Sequence, residues 1–319
     1  MSKFIGIDIS KQTFDVSFLE KSIYKHGVYA NNASGFKQFI KVLGKEDYCI
    51  MEASGCYYLQ LANFLYGKGI KVVVENPLVI KRFGQSRLYR AKTDKKDASV
   101  IAEYGMKNQA DLRLWIPGSP VSVRIRQLYT RLELLSKQLH QNRQQLMTFQ
   151  DSGAIDTFLE TEILSSITLL EKHKNEIEQQ IEQLAQEQYK QTLDNLESIP
   201  AIGRKTAVML CVLTDNFTRF NHYKQLIAYV GLSPRVYQSG TSVKGKGRIC
   251  KMGTSQIRKL LYLCSWSAKR CNAGCREMYE RLKQAGKPER VIKIAIANKL
   301  LKQAFAIATK NERYQLNFS

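Results

Sequence analysis

A chain of 319 residues, 44% of them hydrophobic, is long enough for two domains and buries a real core. Its 49 Lys and Arg against 28 Asp and Glu leave a formal charge of +21, which makes a polyanion, by default nucleic acid, the natural partner. No apolar run spans a bilayer, no basic amphipathic stretch carries a Trp/Phe face, and Met1-Ser2-Lys3 leads into no secretory signal, so membrane classes are set aside.

Residues 3–32 predict three short strands. The first, Phe4-Ile5-Gly6-Ile7-Asp8-Ile9, surrounds one acid with apolar residues, and the alternation of Thr13-Phe14-Asp15-Val16-Ser17-Phe18 folds the second back onto it. Asp8 then sits within a sheet, where a carboxylate is costly unless a cation neutralises it. Ser34 is expected to cap a helix bearing Phe36, Phe39, Ile40 and Leu43 on one face.

Tyr48-Cys49-Ile50-Met51-Glu52 reads as a fourth strand ending in an acid, residues 57–69 as a helix, and residues 70–77 as a fifth strand stopped by Pro77. Three strands, helix, strand, helix, strand is the order of a ribonuclease H-like domain. Residues 81–92 read as a basic loop, and Thr93 as the N-cap of a helix that carries Asp94 and Asp97 on one side of its first turn.

Beyond Pro117 and Pro120, Ile125, Leu128, Leu132, Leu135, Leu139, Asn142, Leu146 and Phe149 follow a heptad pattern. A second run repeats Ile163, Leu170, Ile177 and Leu184 every seven residues, so a helical hairpin within one chain and a dimerising coiled coil are both open. Ile199-Pro200-Ala201-Ile202-Gly203-Arg204-Lys205 resembles a DNA-binding helix-hairpin-helix, whose second helix offers free N–H groups to a phosphate. Residues 235–259 read as a flexible loop with no acid, in which Arg235, Lys244, Lys246, Arg248, Lys251 and Arg258 would join Arg204 and Lys205 on a nucleic-acid backbone. Helices complete the chain. The seven cysteines form an odd, scattered set that suits a reducing compartment, and the Cys271/Cys275 pair lacks further partners for zinc.

Four carboxylates share this predicted fold: Asp8, Glu52, Asp94 and Asp97. Such a density of oxygen ligands suits Mg²⁺ or Mn²⁺, and paired ions assist phosphodiester displacement. Asp15, Glu75 and Glu103 are left out of the set.

The sequence resembles the DEDD transposase family that includes Piv-type DNA invertases and bridge-RNA-guided recombinases. The resemblance rests on Gly6-Ile7-Asp8-Ile9-Ser10-Lys11, Glu52-Ala53-Ser54-Gly55, Lys92-Thr93-Asp94-Lys95-Lys96-Asp97-Ala98, Ile199-Pro200-Ala201-Ile202-Gly203, and Gly231-Leu232-Ser233-Pro234-Arg235 running to Ser239-Gly240, in order over nearly the whole chain. It implies a RuvC-like catalytic domain (1–116), a helical coiled-coil arm (117–190) and a mostly helical C-terminal transposase domain (191–319). The family's DNA-linked serine falls on Ser239. By itself Tyr237-Gln238-Ser239-Gly240-Thr241-Ser242 reads as a polar turn without a base, and Tyr237, Thr241 and Ser242 compete with Ser239 as nucleophiles. The resemblance also implies a structured guide RNA and action on nucleoid DNA in a bacterial cytoplasm, and the heptad runs of the arm give the expectation of a homo-oligomer (dimer or tetramer); insertion and inversion remain open. The resulting expectation is a site-specific DNA recombinase. A water-using, junction-resolving nuclease and a non-catalytic architectural nucleic-acid binder are the competing readings.

Overall fold

The computed structural model describes residues 2–87, 93–235, 238–239, 243–244, 248–250, 253 and 255–315, and they fall into two compact units, Met1–Pro117 and Gly118–Ser319. The fold is mixed α/β with a mostly helical C-terminal part, as expected from the order of elements.

In the first unit, β1 (Phe4–Ile9) pairs antiparallel with β2 (Thr13–Glu20), which pairs antiparallel with β3 (Ile23–Ala30). On its other side β1 runs parallel to β4 (Tyr48–Glu52), and β4 runs parallel to β5 (Lys71–Glu75), so the sheet order is β3-β2-β1-β4-β5. Period-two alternation divides β1 between two cores. Ile5, Ile7 and Ile9 pack with Phe14 and Val16 against Phe36 and Phe39 of α1 (Ala33–Phe39) and Leu61 and Leu65 of α2 (Tyr58–Gly67). Phe4, Gly6 and Asp8 take the opposite face.

Two local expectations change. Asn32, not Ser34, caps α1: its side chain accepts from the N–H groups of Ser34 and Gly35 at 3.0 and 3.1 Å. The segment after β5 is not a loop at its start, because Pro77 opens α3 (Pro77–Ser86), with Asn76 accepting from the Leu78 N–H at 2.9 Å. Proline at the first helical position loses no hydrogen bond, so the residue that stops the strand also starts the helix. Burial of Ile80 then turns Lys81 and Arg82 into the polar side of that helix.

The predicted acid-bearing helix is α4 (Asp94–Lys107), and the Thr93 hydroxyl accepts from the Lys96 N–H at 3.2 Å. α4 lies on β1 at unusually close range. A Cβ on Gly6 would stand 2.1 Å from the Ala98 carbonyl oxygen and 2.3 Å from the Ala102 nitrogen, both backbone atoms that cannot step aside. A buried contact between the Ser17 and Ser99 hydroxyls, 3.1 Å apart, ties β2 to the same helix. Gly6→Ala is therefore expected to cost about 3 kcal/mol of stability, because it forces backbone apart rather than a side chain. Chemical denaturation measures it, and a change below about 1 kcal/mol would contradict the close contact.

In the second unit, α5 (Pro120–Asp151) and α6 (Thr157–Glu197) form the hairpin, about 48 and 60 Å long at 1.5 Å per residue. Ile125, Tyr129, Leu132, Leu135 and Leu139 are buried on α5, as are Ile163, Ile181, Ala185, Tyr189 and Leu193 on α6. α6 runs unbroken through residue 190 into the core around α7 (Arg204–Thr214). That helix is buried all round from Thr206 to Thr214, consistent with its unbroken apolar sequence. It is packed by α5, α6 and α9 (Ser255–Cys271), while α8 (Tyr223–Val230), α10 (Ala273–Gln284) and α11 (Glu289–Lys310) complete the unit. Among the described residues no helix is long and apolar enough to cross a membrane.

Candidate active site

Sheet register sets the first part of the site. Asp8 stands directly opposite Asp15, and the pairing of Ile7 with Met51 brings Glu52 beside Asp8 on the adjacent strand. Glu52 in turn stands opposite Glu75. Four carboxylates from β2, β1, β4 and β5 thus form a row across one face of the sheet, the face that Gly6 shares with α4.

The first turn of α4 adds Asp94 and Asp97. Their proximity is visible in Asp8, which is half-buried and whose carboxyl is pushed up to about 6 by burial first, then by the charges of Asp97, Asp94, Glu52 and Asp15. The four sequence-predicted acids are therefore brought together. Asp15, which the sequence reading left out, belongs to the same field: burial and Asp94 raise its carboxyl, with His26 pulling the other way. The signal that could have found it is its place opposite Asp8 in a two-strand register.

The two other omitted acids have different partners. Glu75 sits beside the Tyr104 phenol of α4, which burial and then Glu75 push up to about 12. Glu103 is paired with Arg87 at 2.8 Å and Lys107 at 2.9 Å.

The donor set fits a hard divalent cation, since it is all carboxylate and its central member is opposed, not balanced, by its neighbours. Among the described residues no three His, Cys, Asp or Glu side chains form a ready-made ligand shell, so a cation would draw these acids inward. Cys271 is exposed and Cys275 buried, and neither belongs to such a group.

The second predicted part lies in the other unit. What the sequence suggested as one flexible loop contains two short antiparallel ladders, β6 (Pro234–Arg235) with β9 (Arg248–Ile249), and β7 (Gln238–Ser239) with β8 (Val243–Lys244). Ser239 stands opposite Val243, Lys244 opposite Gln238, and Arg235 opposite Arg248. Tyr237, Thr241, Ser242, Lys246 and Lys251 lie outside the described residues.

Arg258 is not in the loop but on α9, where its Nη1 donates to the Val230 and Gly253 carbonyls, each at 2.7 Å. A helix end leaves such carbonyls without partners, and Arg258 satisfies that of α8. Gly253 is pressed so close to α8 that a Cβ would stand 1.9 Å from the Tyr229 oxygen. Arg204, the first residue of α7, binds Glu182 at 2.5 Å and Glu197 at 3.1 Å, while the Lys205 ammonium lies 5.5 Å from the Tyr129 ring centroid.

Comparison with known proteins places this geometry. Residues 5–151 match a DEDD transposase family of the IS110 type, described as "Transposase", and residues 193–280 match the "Transposase IS116/IS110/IS902 family". The chain is 32% identical over 327 residues to a pilin gene-inverting protein of Moraxella lacunata and 30% identical over 325 residues to that of Moraxella bovis, covering 98% of both chains each time. A transposase for insertion sequence element IS1111A of Coxiella burnetii is 23% identical over 292 residues, covering 81% of this chain and 76% of the relative. With its acids on a RuvC-like sheet face and both family regions in order, the chain belongs to the IS110-type DEDD transposases, the family of the pilin gene inverters, and is a DNA recombinase or transposase.

Proposed function

We propose that the chain is a site-specific recombinase that cuts and rejoins DNA using Asp8, Glu52, Asp94 and Asp97 together with Ser239. The observation that carries this reading is the setting of Asp8, where burial first and then the three further family-matched acids, with Asp15, raise its carboxyl to about 6. Mg²⁺ or Mn²⁺ held there would supply Lewis-acid stabilisation of charge on the reacting phosphate oxygens. The chain's own groups do the rest: the Ser239 hydroxyl attacks phosphorus and releases its proton to water, and the cleaved strand leaves with a free hydroxyl. Resealing reverses these steps on a second strand, so no external energy source is needed.

Incubating the protein with supercoiled DNA carrying its sites tests the reading. A protein-linked DNA product is expected with Mg²⁺ or Mn²⁺ and none in chelator, while an equal yield in chelator would remove the metal's role. Similarity to the pilin gene inverters favours inversion as one outcome of the exchange. The family resemblance is the support for a structured RNA that selects the DNA sites and for action on nucleoid DNA in the cytoplasm, and the charge of +21 is consistent with holding both nucleic acids. Undiminished recombination by protein stripped of RNA would sink that part.

The reading keeps residues 117–190 as an arm and residues 191–319 as the nucleophile-bearing part. Met147, Phe158, Leu164 and Leu169 remain exposed on α5 and α6, with Phe158 at 78%, and this supports self-association through the hairpin. Differently tagged copies mixed at micromolar concentration are expected to co-purify, and separate elution would rule out the homo-oligomer.

A further inference from the structure

The second unit contains a concave groove of about 1140 Å³ between α8, α10, α11 and the Pro234–Ile249 pair of the β6/β9 ladder. Its floor is apolar, formed by Ile227, Leu232, Ile249, Met278 and Ile294. Beside the neutral Ser233, Asn298 and Gln303, its charged lining is cationic: Lys224, Lys299 and Lys302 share one charge sign, and no acid lines the groove among the described residues. Among the described residues none of these three lysines ion-pairs with a carboxylate. Lys302 instead holds its ammonium 5.3 Å from the centroid of the Tyr223 ring, which also lines the groove.

We propose that this groove binds an unpaired nucleic-acid strand, with bases on the apolar floor and phosphates on Lys224, Lys299 and Lys302. A duplex hides its base faces in the stack and offers only phosphates to a concave surface, so it would leave the floor uncovered. An unpaired strand offers both surfaces, which is the pairing of apolar or aromatic platform with cationic track that single-strand sites use. In the backbone, the pair after Pro234–Ile249 is Arg235–Arg248, on the segment that leads to Ser239. The proposal rests on the chain acting on DNA, not on Ser239 being the nucleophile. Its readout is binding, so an Asp8→Ala or Ser239→Ala protein that fails to cleave must still show it.

The test uses the full chain and a fluorescent single-stranded oligonucleotide of mixed sequence, followed by anisotropy over a salt series. Lys299→Gln combined with Lys302→Gln is expected to weaken single-strand binding about tenfold and to reduce the slope of log K against log salt by about 1.4. Unchanged affinity and slope would overturn the proposal. A second measurement needs no variant: amine labelling of Lys224, Lys299 and Lys302, read by mass spectrometry, should fall when the oligonucleotide is bound. Protection by poly-glutamate or by phosphatidylglycerol vesicles, with none from the oligonucleotide, would assign the groove to an acidic peptide or a lipid surface and refute the strand.

Discussion

Asp8→Asn is expected to lower DNA strand cleavage at least about a thousandfold while making the metal-free protein more stable at pH 8. The two effects have one origin. Burial and four neighbouring acids raise the folded-state carboxyl from the ordinary aspartate value of 3.8 to about 6. The folded state therefore holds this proton more tightly than the unfolded chain does, and the stability Asp8 contributes is full below about pH 4 and lost as pH rises through about 6. A shift of about two units has an upper bound near 3 kcal/mol, and partial exposure to water screens it to about 1 kcal/mol. Asn removes the charge, so urea unfolding at pH 8 without metal should show the variant stabilised by about that amount, and at pH 4 the gain should vanish. A residue kept for folding would behave oppositely, losing stability with activity. Full cleavage activity in Asp8→Asn, or a destabilised variant at pH 8, would contradict its place at the centre of the acid set.

Ser239→Ala is expected to abolish the covalent protein–DNA product while leaving DNA binding and thermal unfolding unchanged. Its backbone lies in a two-residue ladder, β7 with β8, and alanine has no difficulty with extended backbone. A nucleophile's loss is nearly complete because no second group completes the bond to phosphorus. Mass spectrometry of the wild-type adduct is expected to find the link on Ser239 and would separate it from Tyr237, Thr241 and Ser242. Cleavage that persists in Ser239→Ala with a free terminal phosphate would favour a water-using nuclease. Absence of any divalent-dependent product in the wild type would favour the architectural binder.

The row of acids shows what could be read from the chain and what could not. Asp8, Glu52, Asp94 and Asp97 were legible because each falls at a recognisable place, within a strand, at a strand's end or in the first turn of a capped helix. Asp15 was not, since its membership depends on standing opposite Asp8. Glu103, left out of the set, is paired with Arg87 and Lys107, contacts that appear only in the fold. Basic residues were the hardest to judge. Arg204 and Arg258 look like free phosphate contacts in sequence, yet one is bound by Glu182 and Glu197 and the other donates to the carbonyls of Val230, at the end of α8, and of Gly253.

By itself the sequence determined the order of β1 to β5 with the helices between them, the cap at Thr93, the two long heptad-patterned helices and the chemical identity of the acids. These follow from hydrophobic period and local hydrogen bonding, which act over a few residues. Only the tertiary structure decided that α4 rests on Gly6 closely enough to bring Asp94 and Asp97 to Asp8, that Asp15 joins them, and which arginines are already engaged. Those outcomes depend on register and on contacts between residues far apart in the chain, where a change of one position turns a side chain to the other face of the sheet.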